Sequence, residues 1–388
     1  MLINSPSIVR DGLLLYYDMS NTNKSNKGAP TTNYQTYPEA SWNGSSLANV
    51  TYNYPGSPAD GILSYVPYIP NAIGGMGVLQ YVTGSTGYKY WAIRASGLPA
   101  GTYTMSYYSR LVSPTASSSL GNSQLWRMDG VDQGVSGDWN PTHTSDWKRW
   151  SVTGPITGPS SYLDFFPIHS GSILGGYTLQ LCGFQLELGS YATPFVSGTR
   201  SNSQSILDLT GNYTLTASNM VYSSDGTFSF NGSGSTSSVI TSSFPASTLP
   251  TCTIEAVIYP TKGTTVYRSI VQINSNSDDA LYLYSNGSQM GFWPQGASSL
   301  TAPNDQWSYV AMVHTGTNIN YFVNKNTTSS GSGSTDATDF QYIRIGSSST
   351  ADSESFGGKI ALVRVYNRAL ANSEITQNYN SLRGRFGL

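Results

Sequence analysis

Apolar side chains in this chain recur at every second residue, in short runs cut by Gly, Asn, Ser and Pro. In "GTYTMSYYSR" (101–110) Tyr103, Met105 and Tyr107 share one face, and in "DWKRWSVTG" (146–154) Trp147, Arg149, Ser151 and Thr153 stand opposite Lys148, Trp150 and Val152. A period of two is the side-chain period of a strand. "GGYTLQLCGFQLELGS" (175–190) extends it, with Leu179, Leu181, Gly183, Gln185 and Glu187 expected opposite Gln180, Cys182, Phe184, Leu186 and Leu188. Such segments, separated by turns, are the pattern of an antiparallel sandwich. Composition agrees: Ser, Thr, Asn, Gly and Tyr abound and only 10% of residues are charged, a mix that suits strands and turns better than long helices. Aromatics at 12% supply more apolar surface than a disordered chain carries. With 388 residues there is room for two or three domains. A net charge of −2 leaves no electrostatic footprint for nucleic acid or an anionic membrane.

The second half continues the pattern in "GTFSFNGSGSTSSVI", "CTIEAVIYPT", "RSIVQINS" and "ALYLYSNGSQMGFWP". Hairpins are predicted around the Asn-Gly of "LYSNGSQM" and the Gly-Thr-Asn of "VHTGTNINYFV". Only the end differs. "ANSEITQNYNSLRG" (371–384) has Ile375, Tyr379 and Leu382 at helical spacing, a start at Asn372 or Ser373 and a stop at Gly384. The expected fold is all-β: two antiparallel jelly-roll sandwiches with one short C-terminal helix.

A strand near the start has no evident partner. Leu13, Leu14, Leu15, Tyr16 and Tyr17 form an unbroken run between Asp11-Gly12 and Ser20-Asn21, the mark of a strand covered on both faces. The chain then turns polar and enters a module of different character, which "SGTRSNSQ" (197–204) closes.

Two resemblances organise these phrases. "GLPAGTYTMSYYSR", "SDWKRWSVT" and "GGYTLQLCGFQLELGSYATPFV", in that order, resemble the carbohydrate-binding-module jelly roll of phage and secreted bacterial proteins. That resemblance implies a β-sandwich with a glycan site and no catalysis. "NDQWSYVAMVHTGTNINYFVN", "YIRIGSSS" and "FGGKIALVRVYNRALANSEITQNYNSLRGRFG" resemble the laminin-G-like, concanavalin-A-like jelly roll of tailed-phage structural proteins. Departures are Ala371 where that family has a Ser N-cap, and Lys325 where a Gly follows "VN". In that family a strand like "DGLLLYYD" directly precedes the "DLTGN" phrase, here Asp208–Asn212. The resemblance therefore implies a discontinuous domain: residues 1–21 supply its first strand, 28–198 are an inserted carbohydrate-binding-like sandwich, and 199–388 complete the host. The rival assignment gives residues 8–21 to the first module.

Sugar rings offer C–H faces that stack on Trp and Tyr. The expected glycan contacts are Trp126, Trp139, Asp129 and Asp138 in the Gly-rich "LWRMDGVDQGVSGDWN" (125–140), taken as a loop, with Tyr90 and Trp91 in "GYKYWAIR". Each ring is equally of the kind that fills a sandwich core. The acids of that stretch leave a Ca²⁺ contact open, though the spacing is not that of an EF-hand, and no other cofactor is implied. For hydrolysis, two carboxylates must face each other across a scissile bond. Glu255 is alone on its strand, His143, His169 and His314 are isolated, and Cys182 and Cys252 read as small buried hydrophobes. A non-enzyme is expected.

The opening residues lack a basic segment followed by an apolar one, and no run is long enough to span a bilayer, so the expectation is a soluble protein assembled in the host cytoplasm. The function expected from these resemblances is a virion surface protein, a capsid decoration or head-fibre-type adhesin, lattice-bound or homo-oligomeric, with other virion proteins and host-surface glycans as partners. A tail-fibre or baseplate adhesin is the alternative, and a secreted glycoside hydrolase with a binding module the third reading.

Overall fold

The computed structural model describes residues 7–22, 24–35, 50–51, 61–67, 69, 76–83, 87–113, 125–129, 131–138, 141–157, 162–173, 176–223, 227–232, 238–261, 267–274, 279–284, 288–330, 338–348 and 354–388. The chain forms two units, Met1–Pro30 with Ser201–Leu388, and Thr31–Arg200. Thr31–Thr32 pairs antiparallel with Thr199–Arg200, so the two ends of the inserted segment are neighbours. In the host unit Asn26 bridges to Ile206, and the Lys27 amide donates to the Ser205 carbonyl at 2.8 Å.

The host unit is a sandwich of two antiparallel sheets. One runs in the order Val221–Tyr222, Phe228–Asn231, Gly357–Tyr366, Cys252–Pro260, Ser308–His314, Ile319–Val323, Asn326–Ser330. The other runs Thr216–Ser218, Val239–Leu249, Thr338–Ile345, Tyr267–Gln272, Ala280–Tyr284, Gln289–Trp293, Gly296–Thr301. Ile254, Met312 and Val365 from the first sheet and Leu281, Phe292 and Ile343 from the second are inaccessible and belong to one core. Both predicted hairpins form, Ser308–His314 with Ile319–Val323 and Ala280–Tyr284 with Gln289–Trp293. At the Val323–Asn326 turn Asn324 takes the left-handed conformation (φ 53°), and its side-chain oxygen accepts the Tyr309 amide at 2.9 Å.

The Leu13–Asp18 strand pairs antiparallel with Gly357–Tyr366, Tyr16 lying opposite Arg364. Leu15 and Tyr17 are inaccessible and Tyr16 is half-buried. The "DLTGN" phrase saturates the strand's other edge. Leu209 donates to the Tyr16 carbonyl at 2.7 Å, the Tyr16 amide donates to Asp208 Oδ1 at 2.9 Å, and Thr210 Oγ1 and Asn212 Nδ2 both donate to the Leu14 carbonyl at 3.1 Å. Asp208 also accepts the amides of Thr210, Asn212 and Tyr213, which shapes the turn. A strand edge that would otherwise invite foreign pairing is thereby closed.

The C-terminal helix spans Asn372–Phe386, two residues longer than expected at its end. Gly384 lies inside it, exposed and with open space around it, where a helical glycine costs only about 1 kcal/mol. The stop is Gly387, left-handed at φ 69°, whose N–H donates to the Arg383 carbonyl. Ala371 is the N-cap and has no side-chain acceptor; the Glu374 carboxylate accepts the Ala371 amide at 2.8 Å and pairs with Arg368 at 2.6 and 2.8 Å.

The inserted unit is also a two-sheet sandwich. Its larger sheet runs Ser136–Gly137, Lys148–Ile156, Gly101–Ser113, Thr178–Leu188, Val78–Thr83, Gly61–Val66, and its smaller Val50–Thr51, Gly87–Ser96, Tyr162–Ile173, Leu125–Met128, Val131–Asp132. Thr178–Leu188 departs from simple alternation. The register shifts between Cys182 and Gln185, at Gly183 with φ 61°, so Leu179, Leu181, Phe184 and Leu186 all face one core. One bulged residue reverses the side-chain phase. Gln185 and Glu187 consequently point to the closing loop. Glu187 accepts Thr193 N at 2.8 Å, Thr193 Oγ1 at 2.6 Å and Thr31 Oγ1 at 2.9 Å, and Gln185 Oε1 accepts the Val196 amide at 2.7 Å. The "QLELGSYATPF" phrase is therefore a clasp that closes the sandwich.

His143 is buried in this unit, 2.7 Å from Ser109 Oγ, which also accepts the Trp150 indole N–H at 2.8 Å. Burial lowers its pKa from 6.5 to about 4. Across that window the unfolded imidazole takes up a proton that the folded one refuses. The unit should therefore lose up to about 3 kcal/mol as pH falls from 6.5 to 4. Urea unfolding at pH 7 and pH 4 should show this loss in the native protein and a smaller one in His143→Gln; equal losses would mean that other groups govern the acid limb.

Candidate functional site

Among the described residues, those first expected to hold a ligand are not brought together as a ligand site. Trp126 lies in the Leu125–Met128 strand with no exposed surface and belongs to the unit's core, so it cannot stack on a sugar. A Cβ on Gly154 would sit 3.1 Å from its indole, close enough to show how tightly the ring is enclosed. The stretch taken as a loop contains short strands at Leu125–Met128, Val131–Asp132 and Ser136–Gly137. Asp129 and Asp138 are exposed, but each accepts a backbone amide of another strand, Tyr162 at 3.0 Å and Ser151 at 3.2 Å. Trp139 lies outside the described residues. Tyr90 and Trp91 belong to the Gly87–Ser96 strand, in register with His169 and Ile168; their side chains lie outside the described set. Among the described residues no three His, Cys, Asp or Glu side chains lie close enough to hold a metal ion.

Glu255, the one acid considered for hydrolysis, is fully buried. Arg364 pairs with it at 3.1 Å, both side chains being inaccessible, and it also accepts the Tyr309 hydroxyl and Asn378 Nδ2 at 3.0 and 3.1 Å. Asn378 Oδ1 in turn accepts the Val9 amide at 2.8 Å. The cluster ties the helix and the N-terminal segment to the sheet and offers no carboxylate to a substrate. His314 is also buried in its strand, with its pKa lowered by that burial.

The outward face of the seven-stranded sheet has a different chemistry. Directly paired residues of antiparallel strands share a face. The register sets Tyr267 beside Tyr284, Ser269 beside Tyr282, Gly291 and Ala297, and Gln272 beside Ala280 and Trp293. Leu281, Leu283, Met290 and Phe292, alternating with these, fill the core. The rings of Tyr267, Tyr282 and Tyr284 form a triangle with centroids 5.1–5.5 Å apart. Tyr282 lies over Gly291, where a Cβ would come within 2.6 Å of its ring, so only glycine admits it. Tyr267 and Tyr284 are half-buried, and Trp293 is 43% exposed. Burial and neighbouring hydroxyls raise the pKa of Tyr282, and chiefly Tyr284 raises that of Tyr267, so both hydroxyls stay neutral in ordinary buffers. No position of this grid carries a carboxylate. Tyr282, Ser269, Gln272 and Ala280 are themselves buried, so the rings the face offers are those of Tyr267, Tyr284 and Trp293, flat apolar surfaces suited to the C–H face of a sugar. The signal is present in "ALYLY", where Tyr282 and Tyr284 alternate with core leucines and so face away from them, but the same letters equally mark one arm of a hairpin.

Residues 231–376 match the concanavalin A-like lectin/glucanases superfamily, and the host unit is a jelly roll of that kind. No curated protein matches the chain. Among solved structures, domain 4 of AbnA, an extracellular arabinanase from Geobacillus stearothermophilus in complex with arabinotriose, is 18% identical with a TM-score of 0.34, over 46% of this chain and 93% of that one. The binding domain of botulinum neurotoxin DC in complex with rat synaptotagmin II is 13% identical (TM-score 0.35), over 47% of this chain and 50% of that chain. A botulinum neurotoxin type C structure, whose cell entry is described as dependent on two ganglioside molecules, is 12% identical (TM-score 0.36) over the same shares. This chain thus spans half of each toxin chain.

Proposed function

We propose that the protein is a non-enzymatic glycan-binding protein whose binding surface is the aromatic face of the host unit. One observation carries this reading: Trp293 is exposed on the same face as the Tyr267–Tyr282–Tyr284 triangle. The lectin and glucanase membership of the matched superfamily supports it, and the enclosure of Glu255 speaks against the glucanase branch. As its setting we propose the surface of a tailed-phage particle, as a capsid decoration or head-fibre-type adhesin, with a tail-fibre or baseplate adhesin as the second possibility. That step rests on the resemblance of the host unit's phrases, the C-terminal one being the most specific, to tailed-phage structural proteins.

On a glycan array the native protein should give a sugar-specific signal that Trp293→Ala with Tyr284→Ala weakens at least about tenfold, the worth of about one stacked ring. Trp293→Ala alone should leave the melting temperature nearly unchanged, because that side chain is exposed, while Tyr284→Ala also loses its packing on Tyr267 and Tyr282. Undiminished binding by the doubly substituted protein would remove the aromatic face from consideration. Release of reducing sugar from any bound polysaccharide would overturn the non-enzymatic reading.

A further inference from the structure

A concavity lies on the other sheet of the host unit, between the C-terminal helix and the hairpin of Ile319–Val323 with Asn326–Ser330. Its volume is about 240 Å³, just below the roughly 300–1,000 Å³ of pockets for drug-sized ligands, which suits a single small ring. The floor is apolar, made by Phe322, Ile375 and Tyr379, all buried. Around it stand Lys325, Asn324, Asn372 and Asn380. The helix contributes residues 372, 375, 376, 379 and 380, one face at i, i+3, i+4, i+7 and i+8, so the wall follows from helical periodicity.

The walls are fixed before any ligand arrives. Asn324 is held in its turn by Tyr309, whose amide occupies its side-chain oxygen and leaves its NH₂ group as a donor. Tyr379 packs edge-on against Tyr309 with centroids 5.8 Å apart, and the helix is anchored through Asn378 to Glu255. Among the described residues Lys325, Asn372 and Asn380 make no side-chain hydrogen bond or ion pair. Among the described residues no acid lines the cleft, and Lys325 is its one charged lining residue. A lone ammonium calls for an anion, amides with both donors and acceptors call for hydroxyls, and an aromatic floor calls for a C–H face.

We infer that this cleft binds a small polyhydroxylated carboxylate, the chemistry of an acidic sugar of the uronic type, at a site distinct from the aromatic face. Its carboxylate pairs with Lys325, its hydroxyls with the asparagine amides, and its C–H groups face the apolar floor at the edges of Phe322, Ile375 and Tyr379. The inference does not depend on glycan binding by the aromatic face.

Titration of the full-length protein with D-glucuronate, D-glucose and acetate, followed by saturation-transfer NMR and calorimetry, tests it. Glucuronate should bind with a dissociation constant of about a millimolar, as expected for so small a ligand. Glucose, which lacks the charge, and acetate, which lacks the ring, should each bind at least about tenfold more weakly. Lys325→Glu should abolish glucuronate binding, and Asn380→Trp, which fills the cleft from its half-exposed side, should do the same; neither residue is in the core. Trp293→Ala should leave glucuronate affinity unchanged even where it removes the glycan-array signal. The inference is overturned if glucuronate does not bind, if Lys325→Glu binds it as the native protein does, if glucose or acetate matches it, or if Trp293→Ala abolishes it.

Discussion

Changing Arg364 to Leu should lower the stability of the host unit by about 3–5 kcal/mol, the cost of leaving one partner of a buried ion pair without the other. Glu255 would keep the Tyr309 hydroxyl and Asn378 Nδ2 but lose its only counter-charge, in a place with no accessible surface. The attraction of a new leucine to the core offsets little of this, because the carboxylate cannot reach water. Glu255→Leu alone should cost as much, since it strands the guanidinium and leaves Asn378 Nδ2 only the Tyr366 hydroxyl, at 3.0 Å, as its acceptor on the sheet. The double replacement Glu255→Leu with Arg364→Leu should be far milder than the sum, because it removes both charges together. Chemical denaturation of the four proteins gives the cycle directly. If Arg364→Leu costs less than about 1 kcal/mol, the pair is not what holds helix and N-terminal segment to the sheet.

How far the sequence disclosed this architecture depended on whether a signal was local. Strands announced by alternation, such as Gly101–Ser113 and Lys148–Ile156, are where the period of two put them. The all-β class followed from the same signal. Thr178–Leu188 misled because the period continues unbroken in sequence through Gly183, while the bulge that reverses its phase depends on pairing with Gly101–Ser113. Trp126 misled for a related reason: its flanking Gly and Asp residues suggested a loop, yet its strand pairs with Tyr162–Ile173 and turns the indole inward. The helix terminus was missed by taking the first glycine as the stop, when the left-handed conformation falls on the second. Function was least legible. Tyr267, Tyr284 and Trp293 lie on three consecutive strands and share a face only through strand register, and the cleft beside Lys325 needs a helix and a hairpin together.

A fragment of residues 201–388 should fail to fold cooperatively, although it contains every strand of the host unit but one. The missing strand, Leu13–Asp18, lies at the sheet edge beside Gly357–Tyr366, and an edge strand is often dispensable. Here it is not, for reasons on three sides of it. Toward the core, Val9, Leu15 and Met19 are buried, each worth about 1.5–3 kcal/mol, and the Tyr17 hydroxyl bonds to the Ile360 carbonyl at 2.9 Å. Toward the helix, buried Asp18 holds Arg385 at 2.9 Å and Val9 holds Asn378. Along the free edge, the Asp208–Asn212 turn loses the Leu14 and Tyr16 carbonyls that it caps. Against a net stability of about 5–15 kcal/mol for a domain, losses on all three sides leave no folded state. Joining residues 1–30 to 201–388 through a short Gly-Ser linker should restore a sharp unfolding transition, because Asn26 and Ile206 already bridge the cut ends. Residues 31–200 should melt cooperatively alone, their ends clasped by Thr31–Thr32 against Thr199–Arg200. Calorimetry on the three fragments decides the matter: if 201–388 melts as sharply and at the same temperature as the rejoined form, the N-terminal strand is an ornament of the fold and not part of its foundation.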